Sequence, residues 1–373
     1  MGLSPSTEAL REKTVVVIGG SYGGKQIADS LRGCCKLIVI DTRESMHLTI
    51  AAPRAVVEPG FVKKTLIPMK EFYKDSFKRG TVQSIDPDEK AVTLTDGEKI
   101  PYDYLVIASG SSAPFPGKID NDMSTEKAIE LYQGICEKVK AAEKIVIIGG
   151  GAVGVELAGE IATDHPGKDV TIIHARDSLL EPVLSEKLRA NALAFLQAMD
   201  VKVLFGEKVT NLEEMPKDAS SPATVKTDQG KELQADVVFV CIGMKVNSQA
   251  YTSSLAGSMD ERGALKVNSY LQVEGHENIF AVGDCCNADM QKMALRAGEQ
   301  AKAAAKNIIL HAGGSQMKPY KPPTVLFLVS VGRNKGQLQM GPVTTGVGFI
   351  VSMKIKDLFT SRTWKEWGME VPE

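Results

Sequence analysis

Two glycine-rich stretches carry the chemistry that this sequence offers. Gly19-Gly20-Ser21-Tyr22-Gly23-Gly24 follows the apolar, β-branched run Thr14–Ile18, and Gly149-Gly150-Gly151-Ala152-Val153-Gly154 follows Lys144–Ile148. Each run reads as a buried parallel strand. Each glycine stretch opens onto a helical pattern, with Ile27, Ala28 and Leu31 in the first copy and Val155, Leu157, Ala158 and Ile161 in the second. A strand, a glycine turn and a helix form a cradle for a diphosphate. Glycine permits the tight turn and lets the backbone approach the pyrophosphate, and the free N–H groups of the helix N-terminus attract its charge.

The strand after each cradle ends on a residue that reads the ribose. In the first copy, Leu37–Ile40 ends at Asp41, an acid that accepts hydrogen bonds from ribose hydroxyls. In the second, Val170–Ile173 ends at His174-Ala175-Arg176. An acid there would favour NADH, whereas an arginine can pair with a 2′-phosphate. Arg176 reads equally as an exposed loop cation, and NADH and NADPH both stay open as co-substrate. The second stretch matches G-x-G-x-x-G fully. The first has Ser21 at the middle glycine, which would push a pyrophosphate outward slightly.

The elements that must position these cradles recur along the chain. Tyr104–Gly110 is an apolar strand ending in Ala108-Ser109-Gly110, small residues that leave room for a cofactor. Val237–Gly243 repeats the theme and ends at Gly243. Asn278–Asp284 puts an acid at a strand end, followed by the helical stretch Met293–Ile308. Asp284 is placed to bind ribityl hydroxyls, and that helix can aim its positive end at the flavin edge where reduction puts negative charge. The joint order is that of α/β flavoproteins with two Rossmann-like dinucleotide-binding domains, the NAD(P)H domain inserted in the FAD domain. The reading divides the chain into an arm (1–11), an FAD-binding domain (12–124 and 247–318), an NAD(P)H-binding domain (125–246) and a small C-terminal subdomain (319–373).

Composition agrees with such a protein. The 373 residues are 43% hydrophobic and 24% charged, enough for a sizeable core. A net charge of −2 gives no basic footprint for nucleic acid. The six cysteines include adjacent pairs, Cys34-Cys35 and Cys285-Cys286, and no C-x-x-C or C-x4-C redox pair. A reducing compartment suits that usage. No metal-ligand spacing appears, so no metal is expected. The sequence holds neither a membrane-spanning run nor a secretory signal. It does begin Met1-Gly2-Leu3-Ser4-Pro5-Ser6, which fits the N-myristoylation pattern at Gly2.

Beyond the shared dinucleotide motifs, the chain resembles the apoptosis-inducing-factor-like NAD(P)H oxidoreductases over nearly its whole length. The resemblance lies in Val56-Val57-Glu58-Pro59-Gly60-Phe61-Val62-Lys63-Lys64, Pro114-Phe115-Pro116-Gly117-Lys118, Leu271-Gln272-Val273-Glu274-Gly275-His276, and the stretch from Asp357-Leu358-Phe359 to Trp364-Lys365. It implies FAD as cofactor and an NAD(P)H:quinone oxidoreductase that reduces membrane quinones of the ubiquinone and vitamin K type. The radical-trapping hydroquinones so formed would suppress lipid peroxidation and ferroptosis. It implies N-myristoylation of Gly2 and a place on the cytosolic face of membranes (plasma membrane, lipid droplet or mitochondrial outer membrane) as well as in the cytoplasm. One acyl chain binds membranes only marginally. The apolar and basic C-terminal segment is the candidate second contact; it reads equally as a subdomain packing on the FAD domain or on a second subunit of a homodimer.

Residue by residue, the resemblance places FAD contacts on Gly19 through Gly23, Arg54, Val82 and Asp284, with Arg54 as a cation near the pyrophosphate and Val82 as backbone for the adenine. It puts Glu156 at the nicotinamide–flavin junction and makes Lys354 a functional lysine. His47 would line the quinone approach or serve as a structural histidine. Ser21 and most of the first ten residues depart from the family pattern. The sequence thus predicts hydride delivery from NAD(P)H to the flavin and electron transfer to a quinone with no thiol intermediate. Its rivals are an NADH-sensing cell-death effector and a reductase of a soluble acceptor.

Overall fold

A computed structural model describes residues 5–289, 291–346 and 348–373, with the side chains of Pro5 and Ser6 left aside; Gly2 lies outside them. The chain forms two compact units.

The first unit holds the residues up to Met46, Pro68–Ser112 and Lys245–Pro323. Its centre is a five-stranded parallel sheet in the order Ile279–Ala281, Tyr104–Ile107, Thr14–Ile18, Lys36–Asp41, Phe77–Arg79. Parallel strands buried on both faces read as continuous apolar runs, and Val15, Val16 and Val17 are fully buried. Helices Tyr22–Leu31 and Ala294–Ala312 pack against each other. An antiparallel sheet of Val82–Asp86, Ala91–Leu94 and Lys99–Pro101 joins the same core through Val82, Val92, Leu94 and Ile100. Because strands Thr14–Ile18 and Tyr104–Ile107 run parallel and in register, their C-terminal ends, Gly19 and Ala108, emerge side by side.

The second unit holds His47–Ile67, Ala113–Met244 and Thr324–Glu373. Its parallel sheet runs Lys202–Phe205, Asp169–His174, Lys144–Ile148, Val237–Val240. The helix Ala152–Asp164 follows the second glycine turn and is buried over most of its length, which is why it reads as apolar on several faces. Against it pack the short helix Ala52–Ala55 and the strand Leu326–Val331. That strand belongs to an antiparallel sheet with Lys335–Met340 and Val343–Thr345, and the helices Phe349–Asp357 and Thr360–Glu366 complete the chain. Residues 47–67 and 113–124, read from the sequence with the FAD domain, group with this unit, as does the C-terminal subdomain from Thr324 onward. Part of the reason lies in pairing: Arg54 of the first segment and Arg333 and Lys354 of the C-terminal region meet Glu160, Asp164 and Glu156 on the helix Ala152–Asp164.

Candidate functional site

The two cradles are built alike. Gly19 and Gly149 have φ of +101° and +112°, the left-handed region that favours glycine. A Cβ on Gly19 would overlap the carbonyl oxygen of Ala108, and one on Gly149 would lie 2.8 Å from that of Cys241. Gly24 and Gly154 sit where the helix turns back over the loop, and a Cβ on either would overlap the carbonyl oxygen of Gly19 or Gly149. These glycines therefore set the approach of helix to strand. Gly151 differs: its φ is −76° and a Cβ there would meet no protein atom within 4 Å. Its open side faces free space, as a backbone meant for close ligand approach requires. Ser21 takes the same N-cap place in the first cradle with φ of −82°, so the serine costs the loop no backbone strain. Tyr22 and Gly23 begin the helix that follows.

The strand-end residues turn out to brace the loops. Asp41 Oδ2 accepts the Gly20 N–H at 2.7 Å, and Oδ1 accepts that of Arg43 at 2.9 Å. A carboxylate has about four acceptor sites, so capacity for a ribose remains. In the second unit His174 has the same job: its Nδ1 accepts the Gly150 N–H at 3.1 Å, while Nε2–H donates to the Ser178 carbonyl at 3.0 Å. The sequence counts His174 among the cofactor-binding residues, and both of its ring nitrogens are hydrogen-bonded within its own loop. Arg176 donates to the Leu180 carbonyl at 2.9 Å and pairs with Glu181 at 3.3 Å, with 40% of its side chain exposed.

The bond accepted at Nδ1 requires neutral His174. Burial holds the imidazole below its ordinary 6.5, and the neighbouring Arg176 adds to the effect. The unfolded chain therefore takes up this proton first as pH falls. The associated stability is fully present above about pH 6.5 and is lost as pH drops through the lowered folded value. Denaturation midpoints of the wild type should accordingly fall more steeply below pH 6.5 than those of His174→Asn. Parallel slopes would remove His174 from the loop's support.

Around the first cradle the acceptor groups are clamped. The Ser111 hydroxyl donates to Asp284 Oδ2 at 2.6 Å. Asn247 donates to the Ser109 carbonyl at 2.9 Å while the Ser109 hydroxyl donates to that of Asn247 at 2.8 Å. Gly110 has φ of +67° and open space about its Cα. Val82 lies in the antiparallel sheet with its side chain in the core of the first unit. In the second unit Gly243, with φ of +91°, lies in an exposed loop after Val237–Val240. The residues present thus fit bound dinucleotides: positive-φ turns with no room for a side chain, a free face at Gly151 and an oriented carboxylate at Asp284.

The structure also brings together Glu156 and Lys354, far apart in sequence. Lys354 Nζ pairs with Glu156 Oε1 and donates to the Leu328 carbonyl at 2.8 Å; the two side chains are 7% and 8% exposed. The Ser330 N–H donates to the same Glu156 oxygen at 3.1 Å. Such a pair can hold a proton and hand it on. One turn along the helix, Glu160 receives Arg54 in a two-pronged contact at 2.9 and 3.0 Å, and a further turn on Asp164 meets Arg333. Burial pushes the Glu160 carboxyl above its ordinary 4.5, against the pull of Arg54. Sequence reasoning missed Glu160, Asp164 and Arg333. The signal for the two acids was the four-residue spacing that runs on from Glu156 along an otherwise apolar helix; nothing local marked Arg333. Arg54, expected near a pyrophosphate, is 1% exposed and committed to Glu160 and two backbone carbonyls, so a phosphate contact would require it to exchange partners. His47 is likewise buried, with its Nε2 3.1 Å from the Tyr132 hydroxyl.

The cysteines stand apart from this arrangement. All six are free, and burial pushes the thiols of Cys241 and Cys286 up to about 12, so they carry no thiolate at neutral pH.

The sequence pattern of the pyridine nucleotide-disulphide oxidoreductases matches residues 10–319. The chain belongs to that family. It is a flavin-dependent NAD(P)H oxidoreductase, with FAD as cofactor and NAD(P)H as co-substrate. Within the family, the oxidoreductase is 38% identical over 360 residues to human ferroptosis suppressor protein 1, covering 96% of each chain. It is 39% identical to the Taeniopygia guttata protein of that name, also with 96% of each chain covered. Apoptosis-inducing factor homolog B of Dictyostelium discoideum is 34% identical, with 94% of this chain and 96% of that one covered. The resemblance to apoptosis-inducing-factor-like enzymes is thus borne out. Among solved structures, a ferredoxin reductase from Rhodopseudomonas palustris superposes with a TM-score of 0.70 at 18% identity, covering 88% of this chain and 82% of that one. The expected α/β fold with FAD- and NAD-binding domains holds.

Proposed function

We propose that this oxidoreductase reduces a membrane quinone to its hydroquinone at the expense of NADH or NADPH. The buried Glu156–Lys354 pair is the observation that carries the reading. Converting a quinone to a hydroquinone takes two electrons and two protons, whereas NAD(P)H yields a hydride, which is two electrons and one proton. The second proton must come from the protein or water. Bound FAD supplies the two-electron exchange between nicotinamide and acceptor. Lys354 would donate a proton from Nζ, and Glu156 fixes that group in direction. Gly149, Gly151 and Gly154 would bind the NAD(P)H diphosphate, while Gly19 through Gly24, Asp41, Ser109, Gly110 and Asp284 would bind FAD. With no reactive cysteine pair, transfer to the acceptor needs no thiol.

A lipid-borne acceptor is supported by the C-terminal region. Met340, Val343, Phe349 and Ile350 are exposed, Phe349 by 80%, and Lys354 lies on the same helix as the last two. An apolar surface of this kind supplements an acyl chain at Gly2, since stable membrane attachment takes two signals. Among the described residues no helix is long and apolar enough to cross a bilayer. Hydroquinones made in lipid trap radicals there, which accords with the name of the vertebrate ferroptosis suppressor relatives.

The test is direct. Purified protein should be yellow, lose its flavin absorbance with NADH or NADPH, and regain it on addition of a short-chain quinone. Bleaching that quinone does not reverse would overturn the reading in favour of a nucleotide sensor.

A further inference from the structure

We propose that Arg54 is a positioning residue for Lys354, a role that rests on the proton-donor reading of that lysine. Arg54 lies on the short helix Ala52–Ala55, within a stretch whose sequence shows no link to the C-terminus. Its guanidinium reaches across with a fixed fork of donors. Nε and Nη2 hold the Glu160 carboxylate at 3.0 and 2.9 Å, Nη1 donates to the Lys356 carbonyl at 2.9 Å, and Nη2 donates to the Ile355 carbonyl at 2.9 Å.

Those carbonyls belong to the two residues after Lys354, in the last turn of the helix Phe349–Asp357. The last four carbonyls of a helix lack intrahelical partners, and a cation at that end also meets the negative pole of the helix dipole. Arg54 therefore caps the turn that carries Lys354. The chain needs such a restraint here, because Leu358 and Phe359 follow with φ of 52° and 61°. Two successive left-handed residues that are not glycine are strained and hold only where the surrounding structure fixes them.

The register follows from helix geometry. Glu156 and Glu160 are four residues apart on one helix, so they point the same way one turn apart. Glu156 takes the Lys354 ammonium while Glu160, through Arg54, takes the backbone just beyond it. Side chain and main chain of one helical turn are thus both referred to a single rigid helix. Arg333, 3.8 Å from Glu160 and paired with Asp164 and Glu58, adds a second cation to the Glu160 end. This assignment differs from a pyrophosphate contact, which would leave the guanidinium aimed at a phosphate.

The substitution Arg54→Lys keeps the charge and loses the fork. We expect flavin content and the rate of flavin bleaching by NADH to stay near wild type. Quinone turnover per bound flavin should fall about 10- to 100-fold, the effect of a misplacement of roughly 1 Å, and the pH of half-maximal turnover should shift. A merely structural arginine would not move that pH profile. Should Arg54→Lys fold poorly, Arg54→Met with Glu160→Met removes the buried pair together, a change that is often neutral in stability; the same loss of turnover is expected. Wild-type turnover per flavin in a well-folded variant would overturn the proposal. So would a weakened affinity for FAD with normal turnover once flavin is saturating, which would return Arg54 to the pyrophosphate. Lys354→Met, run alongside, separates the two levels. If it leaves turnover intact the proton-donor reading itself fails; if only the Arg54 variants are silent, the positioning role alone fails.

Discussion

Lys354→Met should lower steady-state quinone reduction by about 100-fold or more while leaving flavin bound and reducible by NADH. A positioned general acid contributes typically 10²–10⁴-fold, and Nζ is the proton-bearing atom of the buried pair. The two halves of the cycle respond differently because only the acceptor half consumes the lysine's proton. Stopped-flow bleaching under NADH isolates the first half and reoxidation by a short-chain quinone isolates the second. Equal slowing of both halves would remove Lys354 from the acceptor step. The variant also strands Glu156 without its cation, and losing one partner of a buried pair costs about 3–5 kcal/mol. Lys354→Met combined with Glu156→Gln should recover most of that stability without recovering turnover. That split between stability and rate separates a chemical role from a packing role.

The second large effect distinguishes two glycines of one loop. Gly154→Ala sets a methyl against the carbonyl oxygen of Gly149, backbone against backbone, with no flexible side chain to yield. Helix Ala152–Asp164 must then lift from the sheet, and it carries Glu156 and Glu160 with it. We expect a loss of about 3 kcal/mol, the upper end for overpacking, together with loss of NAD(P)H-dependent bleaching. Gly151→Ala, three residues earlier, meets open space. It should cost only about 1 kcal/mol, the difference between glycine and alanine at an N-cap, yet raise the KM for NAD(P)H about tenfold, or 1.4 kcal/mol of binding. Chemical denaturation beside NADH titration reads both quantities. A Gly151 variant with unchanged KM would mean that the diphosphate does not rest on that face.

Much of this protein was legible without coordinates, and the reason is locality. Each cradle is a strand, a turn and a helix within one short stretch, and the glycines that only a tight loop explains stand in the sequence in that order. The acid at Asp41, the small residues at Ala108-Ser109-Gly110 and the acid at Asp284 lie at strand ends, where α/β sheets place their ligands. Even the absence of a C-x-x-C or C-x4-C pair is a property of the string.

Other features came only from tertiary packing. Glu156 and Lys354 are both visible in the sequence, but nothing local says that the C-terminal helix lays its lysine on the nucleotide-binding helix. The family resemblance put Arg54 near the pyrophosphate; its burial beside Glu160 and the carbonyls of Ile355 and Lys356 gives it these partners as well. His174 stands at the strand end, and only the fold shows its ring bracing Gly150. Strand and helix periods report which face of an element is buried. They carry no information on which buried charges will meet across long stretches of chain, because that is decided by the desolvation cost each charge must offset once the core has closed around it.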